Sequence, residues 1–379
     1  MTRPTLKIHA GVGDIPAEQW QALTGNDPFL SHAYLSALAA SGCVTSETGW
    51  QPQYLALWQQ DRLLGAMPLY LKHHSFGEFV FDWAWADAYQ QHGLRYYPKL
   101  LCAIPFTPVT GNRLLTERDG RSTETRTLLI NAALQLARQQ KASSLHCLFL
   151  SDGDCVAMQR QGMIIREDVQ FHWQNPGYDN FHQFLATLKH SKRKRIKQER
   201  RQVAGAGISC ILLTGEQASP EDWAFFARCY AQTRRRYNAP LALNADFFQR
   251  LGRTLPQHTL LVVAKRNGRP IASALNIFTD EVLYGRSWGA LEYHPGLHFE
   301  TCYYQAMEFC IRSRIPLFEG GAQGEHKLAR GFLPVRTRSA HWLAQPQFFR
   351  AIEDYIVRET NLVSGYVEAL HRRSPFRET

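Results

Sequence analysis

The strongest periodicity in the chain runs through residues 299–313. Phe299, Cys302, Tyr303, Ala306, Met307 and Cys310 recur at i, i+3, i+4, i+7, i+8 and i+11, one apolar face of a helix. A strand-like run, 283–290, precedes it across a loop with Pro295 and Gly296, and a short apolar run, 316–319, follows. Strand, loop, amphipathic helix, strand is a β-α-β unit, and the connecting loops of such units commonly carry chemistry. Elsewhere the pattern predicts short helices near 15–20 and at 31–41, and a hairpin of 54–58 and 63–72 turning at Gln59-Gln60-Asp61-Arg62. A helix at 126–140 and a buried strand at 144–150 follow. Further helices are expected at 179–204, 220–236, 247–252 and 348–370, with a frayed tail after Arg372.

The hairpin has a weak echo. Asp61-Arg62-Leu63-Leu64-Gly65-Ala66 resembles Gly268-Arg269-Pro270-Ile271-Ala272-Ser273, at an offset of 207 residues. At 379 residues the chain is also too long for one ordinary core. Two α/β modules are therefore expected, 1–170 and 171–379.

Charge changes the picture by its placement. Residues 189–201 hold eight Lys or Arg against one acid, and Arg234-Arg235-Arg236 adds three more cations. Together these runs carry the whole formal excess of +10. Lys192, Arg193 and Arg195 are the candidates for contact with an anionic partner, because a run of like charges is relieved by counter-charge. The alternative is a solvated helix face. Eight cysteines with neither zinc-knuckle nor CxxC spacing point to reduced thiols in a cytoplasmic protein without a metal site. No stretch reaches the ~18 uncharged apolar residues of a spanning helix, and the first residues lack an apolar leader.

Chemistry is densest after the 316–319 run. Gly320-Gly321-Ala322-Gln323-Gly324 lets the backbone approach a ligand, and Glu325, His326, Lys327 and Arg330 follow at once. With Glu319 before them, these residues supply candidate bases (Glu325, His326, Glu319) and candidate oxyanion partners (Lys327, Arg330, the glycine amides). A second region, 78–113, crowds Phe79, Phe81, Trp83, Trp85, Tyr89, Tyr96, Tyr97 and Phe106 around Asp82, Asp87, Lys99 and Arg113. It reads either as an aromatic core with rim charges or as a pocket wall whose carboxylates attract a cationic amine.

The turn and strand at 267–274, the strand at 286–290 and the helix after it resemble the C-terminal part of a GNAT acyltransferase. Phe81-Asp82-Trp83-Ala84-Trp85-Ala86-Asp87-Ala88-Tyr89, Tyr96-Tyr97-Pro98-Lys99-Leu100 and Gly321-Ala322-Gln323-Gly324-Glu325-His326-Lys327 resemble predicted bacterial N-acyltransferases allied to the Fem-like peptidoglycan bridge enzymes. The resemblance covers nearly the whole chain. It implies an α/β fold of tandem GNAT-like domains with mixed central sheets, and direct transfer of an acyl or aminoacyl group to an amine. Asp82, Trp83, Asp87, Tyr97, Lys99, Arg113, Arg286, Trp288, Gln323 and Arg330 become the substrate-contacting candidates. A GNAT of the acetyl-CoA type presents (Q/R)xxGx(G/A) before its helix; here Arg286-Ser287-Trp288-Gly289-Ala290-Leu291 ends in Leu. The implied donor is therefore either acyl-CoA or aminoacyl-tRNA, and the implied acceptor a small-molecule or cell-wall-precursor amine. A non-catalytic RNA- or anion-binding protein on the same scaffold is the rival, without an RRM, KH, zinc or helix-turn-helix signature to support it.

Overall fold

A computed structural model describes residues 3–117, 120, 122–322 and 324–377. The chain divides into two compact units, one of residues 1–169 and 336–365, the other of 170–335 and 366–379. Residues 336–365, expected in the C-terminal module, thus belong with the N-terminal one. The reason is pairing and packing: Ala340 to Leu343 run antiparallel to Cys147 to Ser144, while Ile352 and Ile356 pack with Trp85, Tyr89 and Tyr96.

In the first unit, strands Tyr54–Gln59 and Arg62–Met67 form a hairpin with a register slip at Leu57/Trp58, flanked by Thr5–His9 and Leu115–Thr116. The expected 63–72 strand is two, because Pro68 lacks the N–H that would continue the ladder. The second of these, Leu69–Lys72, pairs with Trp50–Pro52 and Lys99–Cys102, and the latter runs parallel to Ser144–Cys147. Helix Ser122–Gln139 bridges that parallel pair in sequence and buries Leu129, Ala133 and Leu136 against Leu55, Leu100 and Leu145.

The second unit repeats this order. Strands β1 (Ile208–Thr214), β2 (Thr259–Arg266), β3 (Arg269–Phe278) and β4 (Val282–Ala290) are successively antiparallel, and β5 (Leu317–Glu319) runs parallel to β4 and antiparallel to residues 172–174. The β2–β3 hairpin also slips one residue before its turn, at Ala264/Lys265. Helices α1 (His190–Gly205), α2 (Pro220–Arg236), α3 (Ala245–Thr254) and α4 (297–313) cover the sheet. Ser219 and Asp222 cap α2 reciprocally, and Pro220 sits at its first turn. Gly289 of β4 passes so close to α2 that a Cβ there would lie 1.9 Å from the Cys229 carbonyl oxygen. Glycine is needed at that position for packing.

Two expectations for this unit fail. The predicted 179–204 helix is broken into Phe181–Thr187 and α1, and residues 373–377, expected to be frayed, are held in place. One pairing explains both: the Lys189 amide donates to Pro375, the Arg377 amide donates to Thr187, and Leu188 bridges Phe376. Backbone groups that would continue a helix are spent on the tail.

The unit's interior is fastened by the one acid of the basic run. Glu199, buried on α1, accepts from Arg330 Nη2 at 2.6 Å, from Arg195 Nε at 3.0 Å and from the Tyr304 hydroxyl. Arg330 also donates to the Tyr304 hydroxyl at 3.0 Å and the His326 carbonyl at 2.7 Å, and its guanidinium lies 3.3 Å from the Phe299 ring centre. Removing one partner strands the other charge. Arg330→Met is therefore expected to destabilise the protein by about 3–5 kcal/mol, read as a lower urea midpoint. Replacing both residues, Glu199→Leu with Arg330→Met, should recover much of that loss. Additive losses would mean that the pair is not coupled.

Candidate active site

The site of interest lies where two parallel strands stop pairing. β4 and β5 are in register from Val282 opposite Leu317 to Tyr284 opposite Glu319. Just beyond, a cavity of about 220 Å³ opens, bordered by Gly285, Gly320 and Gly321. β4 also bulges here. Leu275 pairs with Ser287 but Asn276 pairs with Gly285, so Arg286 is the extra residue and the strand bends at the cavity.

Lys327 reaches the cavity from the 3₁₀ turn Glu325–Arg330. It is 2 % exposed, its Nζ donates to the Gly321 carbonyl at 2.6 Å, and no carboxylate pairs with it among the described residues. Burial therefore lowers its pKa to about 8, with Cys302 pulling weakly the other way. His326, half-buried beside it, has Nε2 3.1 Å from the Tyr303 hydroxyl. Burial, then Arg330 and Lys327, keep its imidazole below the ordinary histidine range. Burial, then His326, Arg330 and Lys327, push His298 down to about 4. Both rings are neutral at pH 7.

Tyr303 and Cys302 reach this wall through an irregularity in α4. Residues Glu300–Tyr304 form a turn of π-helix, an insertion that often marks functional sites. Arg200 of α1 steadies that turn by donating to Glu300 at 3.0 Å and Glu308 at 2.6 Å. Across the cavity, Asn276 is 1 % exposed and its Nδ2 has no hydrogen-bond partner among the described residues. A buried amide beside a cavity is a donor whose bonding capacity the protein itself leaves open. A second cavity of about 530 Å³ shares Trp288 and His298 with the first and extends past Tyr293 to Arg236 and Tyr237.

The cavity gathers His326, Lys327, Arg286 and Trp288 from the sequence candidates. It does not gather Glu325, whose carboxylate lies outside on the surface, bonded to Tyr366 at 2.8 Å and Arg373 at 3.2 Å. Glu319 is buried on β5 and does not border the cavity, while Arg330 is spent behind it on Glu199. Gln323 falls outside the described residues.

The candidates of the first unit make a separate cluster. Lys99, fully buried, donates to Ser75 at 2.7 Å, to Glu78 at 2.8 Å and to Asp82. Tyr96 donates to Asp82 at 2.6 Å, and Tyr97 bonds Ser75 at 2.9 Å. Against the upward push of burial, Lys99 and His146 hold Asp82 down at about 2; Glu78 is raised by burial to about 7. Arg113 is wholly buried on the carbonyls of Val109 at 2.6 Å and Leu148 at 3.0 Å. Asp82 and Arg113 thus face inward, whereas Asp87 and Trp83 are exposed on helix Trp83–Gln91.

The three basic candidates separate. Arg195 is held by Glu199; Lys192 borders a shallow basin with Lys189 and Arg373; Arg193 borders another with Lys194, Lys197 and Arg201. That last basin has no acid in its wall.

Asn276, Tyr303 and His298 were missed as site residues. Asn276 alone left a signal, a polar residue in the middle of the apolar run 271–278. Among the described residues there is no His/Cys/Asp/Glu group placed to hold a metal, and no helix is long and apolar enough to cross a membrane.

The fold has relatives of low sequence identity. FemX superposes over 93% of this chain and 100% of its own, with TM-score 0.55 and 12% identity. The C-terminal domain of a putative lysylphosphatidylglycerol synthetase from Agrobacterium fabrum covers 90% and 96%, with TM-score 0.54 and 8% identity. L-PGS from Bacillus licheniformis covers 85% and 96%, with TM-score 0.50 and 9% identity. No curated protein sequence matches. The architecture is α/β, two compact units with mixed sheets. Residues 11–378 match the FemAB-like family model, described as peptidoglycan biosynthesis/recognition, and the chain belongs to that family.

Proposed function

We propose that the second unit transfers an acyl or aminoacyl group directly to an amine at the β4–β5 opening. Family and fold support an acyltransferase in general terms. The observation that carries the finer reading is Lys327: a buried ammonium without a carboxylate, beside a neutral imidazole, at the edge of a cavity. An isolated buried cation is unfavourable for folding and favourable for an oxyanion.

In this reading the amine nitrogen attacks the donor's carbonyl carbon, and a C–N bond forms as the carbonyl oxygen becomes an oxyanion. Lys327 Nζ and Asn276 Nδ2 are the donors that stabilise it. His326 takes a proton from the attacking amine, held in orientation by the Tyr303 hydroxyl. The tetrahedral centre then expels the donor's sulfur or oxygen, which leaves with a proton. The larger cavity past Trp288 and Tyr293 suits an elongated donor such as acyl-CoA or the 3′ end of an aminoacyl-tRNA. The acid-free basin at Arg193, Lys194, Lys197 and Arg201 suits that donor's phosphates. A small-molecule or cell-wall-precursor amine is the acceptor, and the setting is the cytoplasm.

Lys327→Met and His326→Ala are each expected to lower kcat at least about a hundredfold, without loss of the folded circular-dichroism signal. Glu325→Ala should keep most activity. A fully active Lys327→Met would remove the oxyanion assignment. The rate should also depend on pH. It rises as His326 loses its proton, below the usual histidine range, and falls as Lys327 loses its own near pH 8. The Lys327→Met profile should lose the upper limb only.

Replacing Arg193, Lys194 and Lys197 together by Gln should weaken donor binding and flatten its dependence on salt. An unchanged affinity and slope would reduce that face to a solvated helix surface.

A further inference from the structure

The stretch 75–84 of the first unit is folded inside out. Its polar side chains, Ser75, Glu78 and Asp82, are all buried. Its exposed side chains are Phe76, Phe79, Phe81, Trp83 and Ala84. The inversion is held in place from below. Glu78 and Asp82 are drawn inward onto the buried Lys99 ammonium, which turns the rings between them outward. Phe79 adopts the left-handed region (φ 64°), uncommon for a side chain of that bulk. Gly77 (φ 84°) lies flat on the unit, where a Cβ would meet the Phe106 ring at 2.6 Å. Arg166 clamps the far end through the Phe81 carbonyl at 2.8 Å. Phe76 and Trp83 contact edge to face at 5.3 Å. This is a fixed surface, not a loose loop that would collapse onto the core.

Exposed aromatic rings in this number mark a contact surface. Three occupants are possible in principle, and the structure discriminates among them. The four rings, 55%, 36%, 54% and 39% exposed, offer roughly 350 Å² at ~200 Å² per aromatic side chain. A stable protein interface needs about 800 Å² on each partner, so a second copy or a firm protein partner is poorly served. A sugar would be held by outward hydroxyl, amide or carboxylate side chains around the rings, and between 75 and 84 each such group is turned inward. A bilayer interface asks for neither. It takes rigid aromatic rings at the headgroup boundary.

We infer that Phe76, Phe79, Phe81 and Trp83 form a membrane-contact surface that inserts shallowly into a lipid bilayer. The protein then works as a peripheral one, brought to a lipid surface by the first unit while the second carries the transfer site. The inference rests on geometry independent of that transfer reading.

The test is sedimentation of the full chain with vesicles of phosphatidylcholine mixed with phosphatidylglycerol, compared with Phe76→Ser/Phe81→Ser. The double variant should lose about tenfold or more in vesicle affinity, because each ring's transfer from water supplies the binding. Its thermal midpoint should not move, since both rings are exposed. Trp83 should report insertion directly, as a blue shift of fluorescence with vesicles that disappears in Trp83→Phe. Three results overturn the inference. One is no binding to the vesicles. Another is binding abolished by salt but unaffected by the double substitution, which assigns it to the basic helix. The third is a wild-type dimer, seen by light scattering, that the double variant dissolves while vesicle binding stays unchanged.

Discussion

A single carboxylate inside a basic helix holds the second unit's site together. Glu199 sits among eight cations, and the charge it neutralises first is Arg330, on the turn that carries His326 and Lys327. Because Arg330 also donates to the His326 carbonyl and packs on Phe299, the turn's backbone is fixed from its inner side. Tyr304, sharing Glu199, ties in the π turn that places Tyr303 against His326. Desolvated charge pairs are poor sources of net stability but exacting about geometry. Here that exactness is applied to the two groups nearest the cavity. Among the described residues no carboxylate pairs with Lys327, while Glu199 is committed to Arg330, Glu300 and Glu308 to Arg200, and Glu325 to Arg373.

Much of this architecture was legible in the residue pattern. The periodicity of 299–313 gave its helix, Pro220 and the Arg triplet bounded α2, and the turns at Asp61-Arg62 and Asn267-Gly268 gave two hairpins. These features are local, set by spacing and by turn chemistry. What the pattern hid depends on contacts far along the chain. Nothing near Leu188 announces a helix break, because the cause is residue 376. Glu199 read as one acid diluted in a basic run, since Arg330 lies 131 positions away. Gly289 read as part of an acetyl-CoA-type (Q/R)xxGx(G/A) pattern, and its packing against the Cys229 carbonyl could not be seen there. Within the glycine-rich turn the same difficulty appeared in miniature. Glu325, His326 and Lys327 are consecutive, and composition alone cannot say that the first points to solvent while the other two reach a cavity.

The two units also differ in what their buried lysines are for. Lys99 has two carboxylates within hydrogen-bond reach and keeps its charge despite burial, with its pKa raised. Lys327 has a carbonyl and loses part of its grip on the proton. The same residue type, equally hidden from water, holds its proton firmly in one setting and loosely in the other. The number of compensating oxygens decides which.

The strands Ile164–Gln174 and Leu333–Leu343 each begin in one compact unit and end in the other, and the last helix does so again near Gly365. Neither unit is therefore an uninterrupted piece of chain. During synthesis the first cannot close when its leading 169 residues emerge, for the strand and helix that finish it are made only after nearly all of the second. An incomplete sheet edge must wait through that interval, the situation in which nascent chains are most exposed to wrong pairing. Folding here is obliged to be late and joint, and no cut at a single peptide bond separates two self-sufficient halves.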